Sequence, residues 1–593
     1  MTDPIALPPE GARFTVPPGA EGEVAGWDGS TGPLVLPEAT LAAMCRRLLG
    51  LNWSEVDAAA RVELVPHPPV DGEPSLILHS ATSQKRMFEG HLDAIAAGRP
   101  AADAAAYIET RSVYLAAAGD LVVGRTEPWR EAAALAPVES VEVPAIDYYY
   151  LTHALLTLAD ASRPHTSPTL GRLAAWLRSH PRSVVRVYAL DRETQVLLLW
   201  LKRAAGLDRL RVEANGPDIA ARWNHKAPLH PTVDVALSLG MVDGLAPAEL
   251  LVEESTLNPF WQRLGLLVPR LPGYTIEAAG GDRVVAADRL AAAAMLLRER
   301  YGLRFGCHKP ARGGAGARIK PGVPLDDPDA LARLAAEATQ TGEDYVLEAH
   351  ADYLRHRVRG HEFILAPSAH VRDGRLADGA TLQITDGTVW KGNVYIDESS
   401  CGRFGLDAEQ YRLVRRSVGE LLRAFGGLGG GCELVKGGID FAVARVGGRF
   451  GDSVLVGMQD LNLSSCGAEF LRVFLDQARL ALGRNDPAAM PPVHAATKVV
   501  RPAPDAGLAL LREAVDHTST DHHARAISSV PGRWGLVAVA HPDPVDAAEQ
   551  VLALEERLRQ DGLLARPAGA ALSDSPFRSS TCLRRPSLVD RPL

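Results

Sequence analysis

The chain is short of paired cysteines, of long apolar runs and of any excess of one charge, and each shortage removes a class of protein. Its six cysteines, Cys45, Cys307, Cys401, Cys432, Cys466 and Cys582, are scattered without one C-x-x-C pair. Such spacing suggests neither a disulfide framework nor a zinc knuckle, and the thiols read as packing groups. The longest strongly apolar stretch near the middle, Val196 to Leu201, has six residues, whereas a helix that spans a bilayer needs about 20. No membrane partner is expected. The opening M-T-D-P-I-A-L-P-P-E has no basic segment followed by an apolar one, which reads as a cytoplasmic chain without a secretory leader. With 63 basic against 72 acidic residues, the net charge of −9 is too small and too dispersed for a nucleic-acid footprint or an acidic tail.

What is present is an ordinary folded composition, 46% apolar and 23% charged. At about 150 residues per domain the length allows roughly four units. Residues 1–35, with Pro4, Pro8, Pro9, Pro17 and Pro18, read as an irregular lead-in. Residues 36–170 mix alanine-rich helical stretches with short apolar runs, contain no motif and stay unassigned. Ser183 to Ala189 is strand-like, Asp191 can cap a helix running to Ala205 that Gly206 closes, and L-R-V-E-A follows as a second strand. That βαβ-like unit places an α/β domain over residues 171–255. Residues 256–485 alternate helices (Val284 to Arg300, Asp329 to Thr339, a stripe from Tyr411 to Phe425, Ala468 to Leu482) with strands joined by Asp-Gly turns, the pattern of an antiparallel sheet. A small α+β subdomain over 495–566 and a disordered tail over 567–593 complete the expected order.

Two groups carry chemistry. Lys309 ends a strand that runs into Arg312, Gly313, Gly314, Ala315, Gly316 and Ala317, where small residues let backbone N–H groups approach phosphate oxygens and the lysine adds a point charge. The order matches neither G-x-x-x-x-G-K-[ST] nor G-x-G-x-x-G. Asp440 and Asp460 lie inside otherwise apolar strands, and Asn462 falls two residues beyond Asp460 on the same pleated face. A buried carboxylate calls for a cation, and two carboxylates with an amide oxygen suit magnesium, which keeps waters and takes phosphates as its remaining ligands. The group Asp516, His517, Asp521, His522 and His523 fits no compact zinc pattern and reads as a polar linker or loop. Arg355, Arg357 and Arg359 alternate along one strand and read as a solvated face. His350, His356, His361 and His370 stand as candidate substrate contacts.

In this order the parts resemble the ATP-grasp superfamily of carboxylate-amine ligases over Leu257 to Leu482, and are most similar to its pheganomycin-type peptide ligases. The resemblance implies two α+β subdomains clasping ATP, preceded by an α/β pre-ATP-grasp-like domain and followed by the small α+β subdomain. It implies that Lys309, Arg312, Gly313, Gly314 and Gly316 hold the phosphates, that Glu348, with His350 behind it, lines the adenine site, and that Asp440, Asp460 and Asn462 bind Mg2+. The reaction implied is an acyl phosphate made from a carboxylate and ATP, then attacked by an amine, without a nucleophilic side chain. A small acid and an amino acid or peptide are the expected substrates, and a homodimer is compatible with it. Two departures stand out. The usual E-x-N-x-R is here Asp460, Leu461, Asn462, Leu463, Ser464, so a missing arginine must be replaced by Arg445, Arg449 or Lys436, of which Arg445, together with Lys309, is taken as catalytic. The second lysine expected upstream is represented only by Arg263. Two rivals follow: a weakened nucleotide-binding scaffold, and a kinase that stops at phosphoryl transfer.

Overall fold

A computed structural model of the chain describes residues 35–80, 82, 104–144, 148–161, 167–238, 269–278, 282–312, 318–387, 389–482, 493–519 and 521–565. The lead-in, the Gly313 to Ala317 loop, Arg263 and the 567–593 tail lie outside the described residues. Strands β1 (Leu64–Pro66), β2 (Ser75–Leu78), β3 (Leu121–Gly124), β4 (Glu139–Glu142), β5 (Val184–Val187) and β6 (Leu210–Glu213) form a parallel sheet in the order β1-β6-β5-β2-β3-β4. The central strands β2, β3 and β5 are buried along most of their length, as in a sheet covered on both faces, whereas the edge strand β4 exposes Glu139, Ser140 and Glu142. The helix expected after Asp191 spans Arg192–Ala205; Asp191 accepts from the Thr194 N–H at 2.9 Å, and Gly206 closes it at φ 70°. The boundary expected at residue 171 falls inside this one sheet, because a crossover returns β5 to lie beside β2. Residues left unassigned supply its other half.

A second, antiparallel sheet contains β7 (Gly273–Ile276), β8 (Phe305–Pro310), β9 (Lys320–Pro324) and β10 (Tyr345–Ala349) in the order β7-β10-β8-β9. Helices Arg283–Tyr301 and Pro328–Thr341 cover one face, where Leu290, Leu297 and Leu334 pack with Tyr274 and Leu347. Pairing of Lys309 with Val346 and of Cys307 with Glu348 turns these four side chains to the other face.

The remaining strands are β11 (Asp352–Tyr353), β12 (Arg355–Val358), β13 (His361–Ile364), β14 (Pro367–Arg372), β15 (Arg375–Leu376), β16 (Ala380–Asp386), β17 (Val389–Ile396), β18 (Gly437–Arg445), β19 (Leu455–Asn462), β20 (His494–Val500), β21 (His517–Thr518), β22 (His523–Val530) and β23 (Trp534–His541). Apart from the β12–β13 hairpin they form one antiparallel sheet along β11-β18-β14-β16-β17-β20-β23-β22-β21, with β15 on β14 and β19 on β18. The strand-like run F-I-L-A-P-S-A-H-V divides into β13 and β14 at Pro367, which has no N–H to donate to a ladder. Asp373 and Gly374, at φ 54° and 70°, make the tight turn expected between β14 and β15. Val414, Val418, Leu421 and Phe425 of helix Ala408–Gly426 share a core with Ile439 and Phe441 on one face of β18, while the other face carries Asp440 and then Ala442 and Ala444, which join the core of the small sheet. Strands β20 to β23, expected in a separate subdomain, continue this sheet through β17 and share its core, which gives the β17 edge a partner. Among the described residues, no helix is long and apolar enough to cross a membrane.

One side chain ties the parallel sheet to the large one. Asn215, just past β6 and buried, donates from Nδ2 to the carbonyls of Lys436 at 2.8 Å and Leu463 at 2.7 Å, and its Oδ1 accepts from the N–H groups of Val435 at 2.7 Å and Lys436 at 2.9 Å. These segments lead into β18 and out of β19. Replacing Asn215 with Ala strands buried backbone groups on both and is expected to lower the urea midpoint by about 3 kcal/mol of stability. An unchanged midpoint would show that water replaces the amide at no cost.

Candidate functional site

Cross-strand register builds the site. Asp440 on β18 lies directly opposite Asp460 on β19, and opposite Ser368 of β14 on its other side. Two carboxylates so placed repel, and the structure answers with donors and a cation. The Ser368 hydroxyl donates to Asp440 Oδ1, Asn462 Nδ2 donates to Asp440 Oδ2 at 2.9 Å, and Lys226 Nζ sits 2.7 Å from Asp460 Oδ2. Burial pushes the Asp440 carboxyl up, with the Asp460 charge adding to it, to about 6.

On the facing sheet Lys309 and Glu348 are diagonal neighbours of the β8–β10 pair, both buried, and form an ion pair. Glu348 also meets His230 Nε2 at 3.2 Å, while Arg270 Nη1 lies 2.9 Å from His230 Nδ1. Burial drives the His230 imidazole down to about 4 against the opposing pull of Glu348. The neutral ring therefore accepts from Arg270 at Nδ1 and donates its Nε2–H to Glu348. Burial raises Glu348 and lowers Lys309, but each is outweighed by the other's charge: the carboxyl ends below and the ammonium above its ordinary value. The pair stays charged.

Two connections bring these groups together. A bulge in β19 pairs Phe441 with Met458 and Asp440 with Asp460, which leaves Gln459 unmatched. Gln459 donates from Nε2 to Glu348 Oε1 at 3.3 Å and accepts from the Tyr353 hydroxyl. Lys226, whose ammonium reaches Asp460, donates its backbone N–H at 3.0 Å to the carbonyl of Ala311, between Lys309 and the glycine loop. The base of the loop and the two aspartates therefore lie within one lysine side chain of each other.

Of the residues singled out from the sequence, Lys309, Glu348, Asp440, Asp460 and Asn462 come together. Arg312 lies beside them and donates to the Ala221 carbonyl at 3.1 Å, and Gly313, Gly314 and Gly316 lie outside the described residues. The structure does not bring the others in. Arg445 is exposed, donates to the Asp452 carbonyl at 3.2 Å and stands five residues along β18 from Asp440, roughly 17 Å in an extended strand. Arg449 donates to the Glu299 carbonyl, and Lys436 to that of Val187. His350 follows β10 beside Phe305, at the far end of β8 from Lys309. Arg355 pairs with Glu362 at 2.5 Å, and Arg359 with Glu549 at 2.7 Å and with Asp546. His522 contacts Gln550, and among the described residues no group of three or more His, Cys, Asp or Glu is placed to hold a metal. Burial pushes Cys307 up to about 12 and Cys466 to about 11, which keeps both as thiols.

Sequence reading missed Lys226, His230, Arg270, Ser368 and Gln459. Strand alternation assigns Gln459 to the face opposite Asp460, and only the bulge reverses that. Lys226, in W-N-H-K-A-P-L-H, follows a six-residue helix, Pro217–Arg222, and carries no periodic signal. Its one sequence cue is a lone lysine in a short, otherwise uncharged run.

No protein-family model matches the sequence, and no curated protein does. Among solved structures the chain is similar to an ADP complex of N5-carboxyaminoimidazole ribonucleotide synthetase, 11% identical with a TM-score of 0.42 over 84% of this chain and 99% of that one. It is similar to the synthetase of the same name from Thermus thermophilus, 14% identical with a TM-score of 0.39 over 83% and 99% of the two chains. A D-cycloserine synthetase is 13% identical with a TM-score of 0.30, over 60% of this chain and 99% of its own. At these TM-scores the likenesses assign no activity, and what the site can do rests on its own residues.

Proposed function

We propose that the chain is an ATP-dependent carboxylate-amine ligase of the ATP-grasp kind, which joins a small acid to an amino acid or peptide through an acyl phosphate. The observation that carries this reading is the Lys226 bridge: its backbone is bonded at the base of a glycine-rich loop, and its ammonium lies against one of two adjacent carboxylates. Lys226 pairs with Asp460 and Lys309 with Glu348, Arg270 reaches Glu348 only through His230, and Asp440 lies beside Asp460. Such a balanced set can exchange partners when a metal and a polyphosphate arrive together.

The residues fit Mg2+. Asp440 and Asp460 supply hard oxygens whose repulsion a divalent ion relieves, and the side-chain oxygen of Asn462 is a third donor. When bound, the ion would screen charge on the transferred phosphoryl group. The chain's own residues do the rest. Lys309, held by Glu348, and Lys226, released from Asp460, would bind phosphate oxygens; His230 and Arg270 fix the Glu348 carboxylate; Gln459 ties the small sheet to β19. Lys226, rather than Arg445, Arg449 or Lys436, is then the cation that offsets the missing arginine after Asn462.

Mass spectrometry of products from amino acids, peptides and small acids incubated with ATP tests this. Wild type is expected to give an amide and ADP, while Asp460→Ala and Lys226→Met lose both by about 100-fold or more. Identical products from Asp460→Ala and wild type would refute the metal assignment, a stable phosphorylated acid would mark a kinase, and nucleotide binding without turnover a scaffold. A second expectation concerns stability. A carboxyl held above its ordinary value imposes a cost that is fully present above pH 6 and relieved as the pH falls toward the usual carboxylate range. Asp440→Asn should therefore raise Tm at pH 7.5 while abolishing turnover, with a smaller gain in Tm at pH 5. A lower Tm at both values would contradict this.

A further inference from the structure

The oxygens of the aspartate pair are already engaged by donors of the chain itself. Asp440 Oδ1 accepts from the Ser368 hydroxyl, Asp440 Oδ2 accepts from Asn462 Nδ2 at 2.9 Å, and Asp460 Oδ2 meets Lys226 Nζ at 2.7 Å. Asn462 therefore turns its NH2 group, not its oxygen, toward the pair. A divalent cation takes oxygen ligands, so each of these donors has to turn away before the same atoms can serve it. The hydroxyl and the amide are neutral and can rotate. Lys226 differs, because its ammonium carries the charge that offsets the two acids. Its side chain is 7% exposed and that of Asp460 18%, so both ends of this ion pair are shielded from water and neither parts from the other without a replacement charge.

The same lysine is anchored where a phosphate would reach it. Its backbone N–H donates to the Ala311 carbonyl at 3.0 Å, at the base of the glycine-rich loop, and its carbonyl accepts from the Leu229 N–H at 3.0 Å. Thr275 of β7 fastens the residues that follow, its Oγ1 donating to the Ala227 carbonyl at 2.7 Å and its N–H to the Pro231 carbonyl at 2.9 Å. The main chain of Lys226 thus belongs to the small sheet, while its ammonium lies on the large one. A flexible aliphatic stem lets that ammonium swing without moving the backbone beneath it. Lys309 cannot play this part, since its carboxylate partner, Glu348, is on its own sheet.

One ammonium cannot serve two anions. While Lys226 is on Asp460, a divalent ion must displace a buried charge to enter. Once a polyanion at the loop draws Lys226 off, two adjacent carboxylates are left to repel each other and attract the ion. Linkage makes the effect reciprocal, so each ligand favours the other by the same factor.

We propose that Lys226 is a built-in stand-in cation, which holds the aspartate pair closed to divalent ions until a polyphosphate at the glycine-rich loop draws its ammonium away. That the polyphosphate is a nucleotide rests on the ligase reading; the occlusion of the pair does not.

Two titrations of the full chain test this, one with bare Mn2+, followed by loss of the free-ion EPR signal, and one with the Mn2+ complex of a non-hydrolysable ATP analogue. Lys226→Met is expected to bind bare Mn2+ about ten-fold or more tighter than wild type, and the complex about ten-fold or more weaker. A substitution that merely loosened the fold would weaken both. Lys226→Gln should give the same opposed signs, and it decides the matter if Lys226→Met does not fold. Adding Asp460→Asn to either variant should abolish the gain. Bare Mn2+ binding that neither substitution tightens, or a gain that survives Asp460→Asn, overturns the proposal. Weaker binding of the complex without any gain for bare Mn2+ would sink the occlusion and leave the ligase reading standing. A gain for bare Mn2+ in a protein deaf to the complex would sink the ligase reading and leave the occlusion standing.

Discussion

The register of β18 against β19 sets two carboxylates side by side, and the rest of the site is an answer to that constraint. A hydroxyl, an amide and an ammonium are arranged around Asp440 and Asp460, and burial leaves Asp440 pushed up to about 6. At effective protein dielectrics near 20, like charges about 5 Å apart cost on the order of 3 kcal/mol, more than one hydrogen bond returns. A fold selected for stability alone would place an apolar pair here. Keeping both acids implies a cationic occupant, and Lys226 fills that role from the side of the glycine loop.

The three sheets meet through different contacts. Asn215 joins the parallel sheet to the large one through four backbone hydrogen bonds, and Glu131 caps helix Leu508–Val515 by accepting the Leu508 and Ala509 N–H groups, each at 2.9 Å. Parallel sheet, aspartate strands and C-terminal layer are thereby held in one frame. The small sheet is joined to that frame by the Pro269–Met458 backbone bond at 2.9 Å, the Gln459–Glu348 contact and the Lys226 link. Two of these three run through side chains of the buried ion pairs, Glu348 with Lys309 and Lys226 with Asp460.

Much of this was legible in the residues. Acids inside apolar strands are expensive unless partnered, so I-D-F-A-V and M-Q-D-L-N-L already singled out Asp440, Asp460 and Asn462. Capping chemistry is local, so Asp191 and Gly206 marked a helix that forms as expected. Arg445 misled because distance along a strand, not nearness in sequence, separates it from Asp440. Gln459 was hidden because alternation assumes a regular ladder and a single bulge breaks it. Domain limits at 171 and 495 were misplaced for a related reason: hydrogen-bonded strand edges ignore sequence distance, so β5 returns beside β2, and β20 extends the sheet through β17.

By itself, then, the sequence determined which segments become helix or strand and which buried acids need a cation, because periodicity, caps and the cost of burying charge act within a few residues. Which cation reaches them was decided only in three dimensions. Lys226 meets Asp460 across 234 positions, because strand register and sheet order bring together residues that no local rule connects.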